Sequence, residues 1–180
     1  MYIEIEKLTS LQNAKEVINF SKKGFESKLK SLSKLYASEH SPMYSQVYII
    51  RLFDIPYHVH VHILTHKNNF ILHCTTTNRP DKTFKERSAN DTVNMIIYCN
   101  AKKIVDMMLK RLCFNATSET TQVLNLIKQK LEYDKDELAM FCVSKCVYRN
   151  GLCGEFESCG FNKTEKYKSI QLEYNKHFKL

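Results

Sequence analysis

Tryptophan is absent from this chain, and glycine and proline are scarce, with 4 and 3 residues among 180. Turns must therefore rest on Asn, Asp, Ser and Lys. No apolar run approaches the roughly 18 residues needed to span a bilayer. The opening MYIEIEKLTS has no basic segment leading into an apolar one, so a signal peptide is not expected. Also missing are GxGxxG, the P-loop, GxSxG and HExxH, which argues against the common cofactor enzymes and hydrolases. Neither low-complexity tracts nor internal repeats interrupt the chain.

Hydrophobic residues make up 43%, enough for a core and too many for disorder. The length suits an α+β core domain over 1–132 with a helical, Cys-rich appendage over 133–180, or one continuous domain over 1–180. Seven cysteines, an odd number, fit free thiols or metal ligands in a reducing compartment, cytoplasm or nucleus, better than a disulfide framework. Lys and Arg number 27 against 19 Asp and Glu, a net charge of +8. Such a charge suits an anionic partner, nucleic acid or an acidic protein, and it equally serves solubility. Abundant Lys, Asn and Ile without Trp suit an AT-rich genome, such as that of a parasite or a large DNA virus.

Periodicity predicts a long first helix from about Ser10 to Tyr36. Leu11, Ala14, Ile18, Phe25, Leu29, Leu32 and Tyr36 share one face, Thr9 or Ser10 caps it, and Gly24 weakens its middle. Three strand-like runs follow, Gln46–Phe53, Tyr57–Thr65 and Phe70–Thr76, with a fourth over Thr92–Cys99. The short links imply an antiparallel meander. Asn100 and Ser118 can cap two further helices, Asp134 or Asp136 a third reaching Cys146, and Tyr167, Ile170, Tyr174 and Phe178 recur at helical steps in the tail. The expected fold is an antiparallel sheet of three or four strands packed with a long N-terminal helix and several C-terminal ones.

Residues 57–66 read YHVHVHILTH. On a strand, Val59, Val61 and Ile63 meet the core, while His58, His60 and His62 stand on the other face about 6.6–6.8 Å apart. His73 on the next strand joins them. Such a face can simply cover the sheet, or hold a transition metal through neutral imidazoles. HVHVHIL also resembles the histidine-triad pattern. The resemblance implies a histidine-dependent phosphoesterase or nucleotidyl hydrolase in which His60 attacks an α-phosphate and His58 and His62 steady it.

Cys142, Cys146, Cys153 and Cys159 fall within eighteen residues beside Gly151, Gly154 and Gly160. Four thiolates so placed can hold zinc, although no CxxC pair is present, and Cys142 and Cys146 also fit one apolar helix face. Arg79, Lys82, Lys85 and Arg87 surround Phe84 in one loop, and Lys163, Lys166, Lys168, Lys176 and Lys179 flank aromatics in the tail. Cations interleaved with rings suit phosphates and unpaired bases. The element order is similar to that of double-stranded-RNA binders, without their motifs. The sequence therefore favours a non-enzymatic accessory or regulatory factor that binds nucleic acid or a protein partner, such as a viral transcription factor, with zinc as its candidate cofactor and no membrane association. The phosphoesterase and a purely structural interaction domain are the alternatives.

Overall fold

A computed structural model describes residues 1–24, 26–65, 71–75, 88 and 91–177. The fold is α+β, with a four-stranded antiparallel sheet of order β1-β2-β4-β3. Its strands are β1 (Tyr2–Lys7), β2 (Val47–Pro56), β3 (Ile71–Cys74) and β4 (Thr92–Asn100). Seven α-helices lie among the described residues: α1 (Leu11–Ser21), α2 (Leu32–Ser38), α3 (Tyr57–Leu64), α4 (Ala101–Arg111), α5 (Ser118–Tyr133), α6 (Lys145–Tyr148) and α7 (Glu165–Lys176).

The pleat explains the core. Ile3 of β1, Tyr48, Ile50 and Leu52 of β2, and Val93, Met95, Ile97 and Cys99 of β4 are buried on one face. They share one hydrophobic cluster with Ile104 and Met108 of α4 and Val123, Leu124, Ile127 and Leu131 of α5. Each fully buried Ile or Leu contributes roughly 1.5–3 kcal/mol. A smaller cluster, Val143, Val147, Phe161, Tyr167 and Tyr174, holds α6 and α7 together.

Four local expectations change. The long first helix is two helices: Lys23 and Gly24 take positive φ after α1, and Asn19 Oδ1 accepts a 2.6 Å bond from Ser27 N. Gly24 has the conformational freedom for that turn. The YIEIEK alternation forms β1, an edge strand whose Glu4 and Glu6 lie opposite the buried face, and it supplies a strand that sequence reading left out. Residues after Asp136 form a short 3₁₀ turn, Glu137–Phe141, and then α6, instead of one helix to Cys146.

The fourth change concerns function. Tyr57–Leu64, read as the histidine strand, is helix α3. Strict alternation hides helical spacing, because positions two apart also supply pairs four apart. The helix uses those pairs: Val59 and Ile63 are buried, whereas Val61, which a strand would bury, is 41% exposed. Pro56 precedes the helix, and Tyr57 N, its first free donor, reaches Asp91 O at 2.8 Å.

Asp136 ties the ends of the chain together. Its carboxylate accepts from Lys7 Nζ at 2.9 Å, from Tyr48 Oη at 3.1 Å and from Leu138 N at 2.9 Å. Its side chain is only 9% exposed. Asp136→Ala strands three donors, so it should lower unfolding free energy by about 2–3 kcal/mol in urea titrations. A loss below about 0.5 kcal/mol, the size of an ordinary surface change, would show that the carboxylate is not holding β1 and β2 to the turn.

Candidate functional site

A cleft with a volume of about 470 Å³ lies between α5, α7 and the segments 112–118 and 142–147. Its floor is apolar, built from Cys142, Val143 and Val147. One wall is the Phe114–Phe161 pair, stacked with centroids 4.4 Å apart. Phe114 is 60% exposed and Phe161 8%, so one ring stands on the other and offers a free edge to the cleft. Ser118, Gln122 and Asn125 line the opposite side at helical steps along α5. Two cations flank it, Lys128 of α5 and Lys166 of α7, and Lys166 Nζ lies 6.0 Å from the Phe114 ring centroid.

The arrangement combines an aromatic surface, carboxamides and two ammonium groups in a space the size of an ordinary small-molecule site. Thr164 caps α7 by accepting from Tyr167 N at 3.1 Å, which fixes the turn from which Lys166 projects. Of the basic residues singled out in sequence, Lys166 alone among the described ones lines this cleft. Lys168 pairs with Glu165 at 2.6 Å, and Lys163 closes the preceding 3₁₀ turn. Arg79, Lys82, Lys85 and Arg87 lie outside the described residues. Phe114, Gln122, Asn125 and Lys128 escaped sequence reading because their spacing on α5, or beside it, matches an ordinary solvated helix face.

The cysteine quartet does not assemble as expected. Cys142 is wholly buried in the main core and directs its thiol to Leu138 O at 3.5 Å. Burial pushes that thiol up to about 12, and Cys142 lies in the main core, apart from the recess where the other three thiols meet. Cys146, Cys153 and Cys159 instead share a recess of about 10 Å³ with Cys113. Among the described residues, no group of three or more His, Cys, Asp or Glu is arranged to hold a metal ion, which overturns the expectation of zinc.

The histidines separate as the helix dictates. His58 and His62 share a face, rings 5.9 Å apart, whereas His60 is buried against Tyr57. The pattern thus lacks the single histidine face on which the triad resemblance depended. His62 Nδ1 lies 2.8 Å from Thr120 Oγ1, and Arg111 donates to His62 O at 3.2 Å.

Burial holds His62 below the usual 6.5, helped by the charges of Arg111 and His58. The folded state therefore resists a proton that the unfolded chain accepts. Stability should fall as pH drops below 6.5 and level off once His62 itself titrates in the folded state. His62→Gln should flatten that acid limb in urea titrations run across the same pH series. An unchanged slope would assign the limb to other groups.

No protein-family model matches the chain, and no curated protein sequence matches it. Solved structures do resemble it. Two are flavin-dependent thymidylate synthase ThyX from Helicobacter pylori with FAD and dUMP. One is 11% identical with a TM-score of 0.65, the likeness covering 80% of this chain and 100% of that one. The other is 10% identical with a TM-score of 0.64, covering 79% and 99%. A third is the UMP/dUMP methylase PolB from Streptomyces cacaoi bound with 5-Br dUMP, 10% identical, TM-score 0.56, covering 80% and 97%. These likenesses overturn the expectation of a non-enzymatic, viral transcription-type factor whose partner is nucleic acid or an acidic protein. The proteins of similar fold are nucleotide enzymes, with FAD and dUMP in two of the structures where zinc had been expected here. Among the described residues, no helix is long and apolar enough to cross a membrane. At this level of identity, what the chain shares with these enzymes is the fold.

Proposed function

We propose that this chain is a nucleotide enzyme that binds a uridine-type monophosphate in the cleft between α5 and α7. The observation that carries the reading is the meeting of an exposed ring, two carboxamides and two ammonium groups in one cleft of about 470 Å³. Uracil offers an acceptor, a donor and an acceptor along one edge. The carboxamide of Asn125 or Gln122 can meet a neighbouring donor and acceptor of that edge with its own pair. The pyrimidine packs on Phe114, and Lys128 and Lys166 neutralise the phosphate. The solved structures of similar fold that hold dUMP or 5-Br dUMP support the choice of base. An intracellular setting belongs to the same reading and agrees with seven free thiols.

A flavin dinucleotide fits this cleft poorly. FAD carries two ring systems joined through a pyrophosphate, while the cleft offers one exposed ring and two cations. The chain's own residues therefore account for binding and orienting one mononucleotide, and the reading routes no chemistry through flavin.

Calorimetric titration with dUMP, UMP, uridine and FAD tests the reading. The monophosphates should bind at least about tenfold more tightly than uridine, a difference of about 1.4 kcal/mol carried by the two lysines. The Lys128→Glu/Lys166→Glu variant should erase that preference. If dUMP and UMP fail to bind at millimolar concentration, or bind the variant as well as the wild type, the cleft is not the site.

A further inference from the structure

The cavity that holds Cys113, Cys146, Cys153 and Cys159 is separate from the α5–α7 cleft and unused by it. Its volume, about 10 Å³, is barely that of one water molecule. The thiols thus line a narrow seam between segments, open at Cys153 and Cys159, with no room for a molecule larger than water. Two of those segments are drawn together by independent contacts. Asn115 Nδ2 donates to Glu157 O at 2.9 Å, and Phe114 stacks on Phe161 at 4.4 Å. Lys110 pairs with Glu155 at 3.1 Å across the same seam. Cys113 immediately precedes Phe114 and Asn115, and Cys159 lies between Glu157 and Phe161. Three contacts therefore draw together the segments that carry these two cysteines, and both line the same recess.

We propose that Cys113 and Cys159 form a peroxide-responsive thiol pair that closes into a disulfide across this seam. Cys159 is exposed and meets the oxidant first. Its thiolate attacks one oxygen of a hydroperoxide. The O–O bond breaks, an S–O bond forms, and with hydrogen peroxide the departing hydroxide takes the thiol proton and leaves as water. Cys113 then displaces hydroxide from the sulfenic acid. The S–O bond breaks, the S–S bond forms, and the Cys113 proton leaves in a second water. Two thiols lose two electrons in all, and one peroxide is reduced to two waters. Cys113 suits the second role. It is half-buried, and its pKa is raised by burial and by the nearby Cys159, Glu155 and Cys146, so it is the less reactive thiol toward oxidant. Cys146 is engaged with Ser144 Oγ at 3.3 Å, and of the two exposed thiols, Cys153 and Cys159, it is Cys159 whose charge acts on Cys113.

The test uses the full chain and stoichiometric hydrogen peroxide under native conditions. Thiol titration after quenching and denaturation should fall from seven to five per chain and return to seven with dithiothreitol. Peptide mapping should recover a Cys113–Cys159 cross-link lighter by two hydrogens. Cys159→Ser, a surface substitution, and Cys113→Ser should each abolish the cross-link, while Cys153→Ser and Cys142→Ser should leave it intact. A cross-link between any other pair as the main product overturns the proposal. So does a thiol count that stays at seven, or Cys159 passing to sulfinic acid without a bridge.

Discussion

The Asp136 carboxylate is the contact on which the architecture turns. It joins an N-terminal strand, a central strand and the turn that follows the longest helix. Tyr36 Oη lies 3.1 Å from Tyr48 Oη, which extends the network to α2, and Lys7 Nζ sits 5.3 Å from the Tyr48 ring centroid. Burial raises the pKa of both tyrosines, so they remain neutral hydrogen-bonding groups. The neighbouring Glu137 accepts from Leu32 N and Ser33 N, capping α2 from more than a hundred residues away. A helix of seven residues has little stability by itself. It persists here because a distant carboxylate satisfies its first donors and because Leu32, Leu35 and Tyr36 are buried.

That network also positions the cleft. Asp136 fixes where the chain leaves α5, and the 3₁₀ turn after it places Cys142 and Val143 as the cleft floor. Beyond that point Val143 and Val147 enter the smaller core with Phe161, Tyr167 and Tyr174. Lys166 belongs to that smaller core's helix, and Lys128 to the main core's helix. The two cations therefore approach one another only because the two hydrophobic clusters pack side by side. Segments 38 residues apart in sequence carry no mark of this meeting.

The same logic separates the cysteines. Cys142 and Cys146 look equivalent in sequence, four residues apart. In the folded chain a turn intervenes, sending Cys142 into the main core and Cys146 to the recess it shares with Cys113. Cys113 is half-buried at that recess. The relevant partner of the C-terminal thiols thus comes from the end of α4, a position no local spacing rule would select.

Much of the fold was legible because burial periodicity is a local property. The stripes on α4 and α5, the Asn100 cap, and the Val- and Ile-rich strands β2 and β4 all follow from residues within one or two turns of each other. Strand or helix at residues 57–64 was not legible, because HVHVHIL satisfies both periods, and only packing of Val59 and Ile63 selects the helix. The sequence alone determined the fold class, the basic charge and the supply of free thiols. Tertiary structure decided which of those groups meet, since a cleft or a thiol pair depends on distances between distant segments, and those are set by how two hydrophobic cores pack.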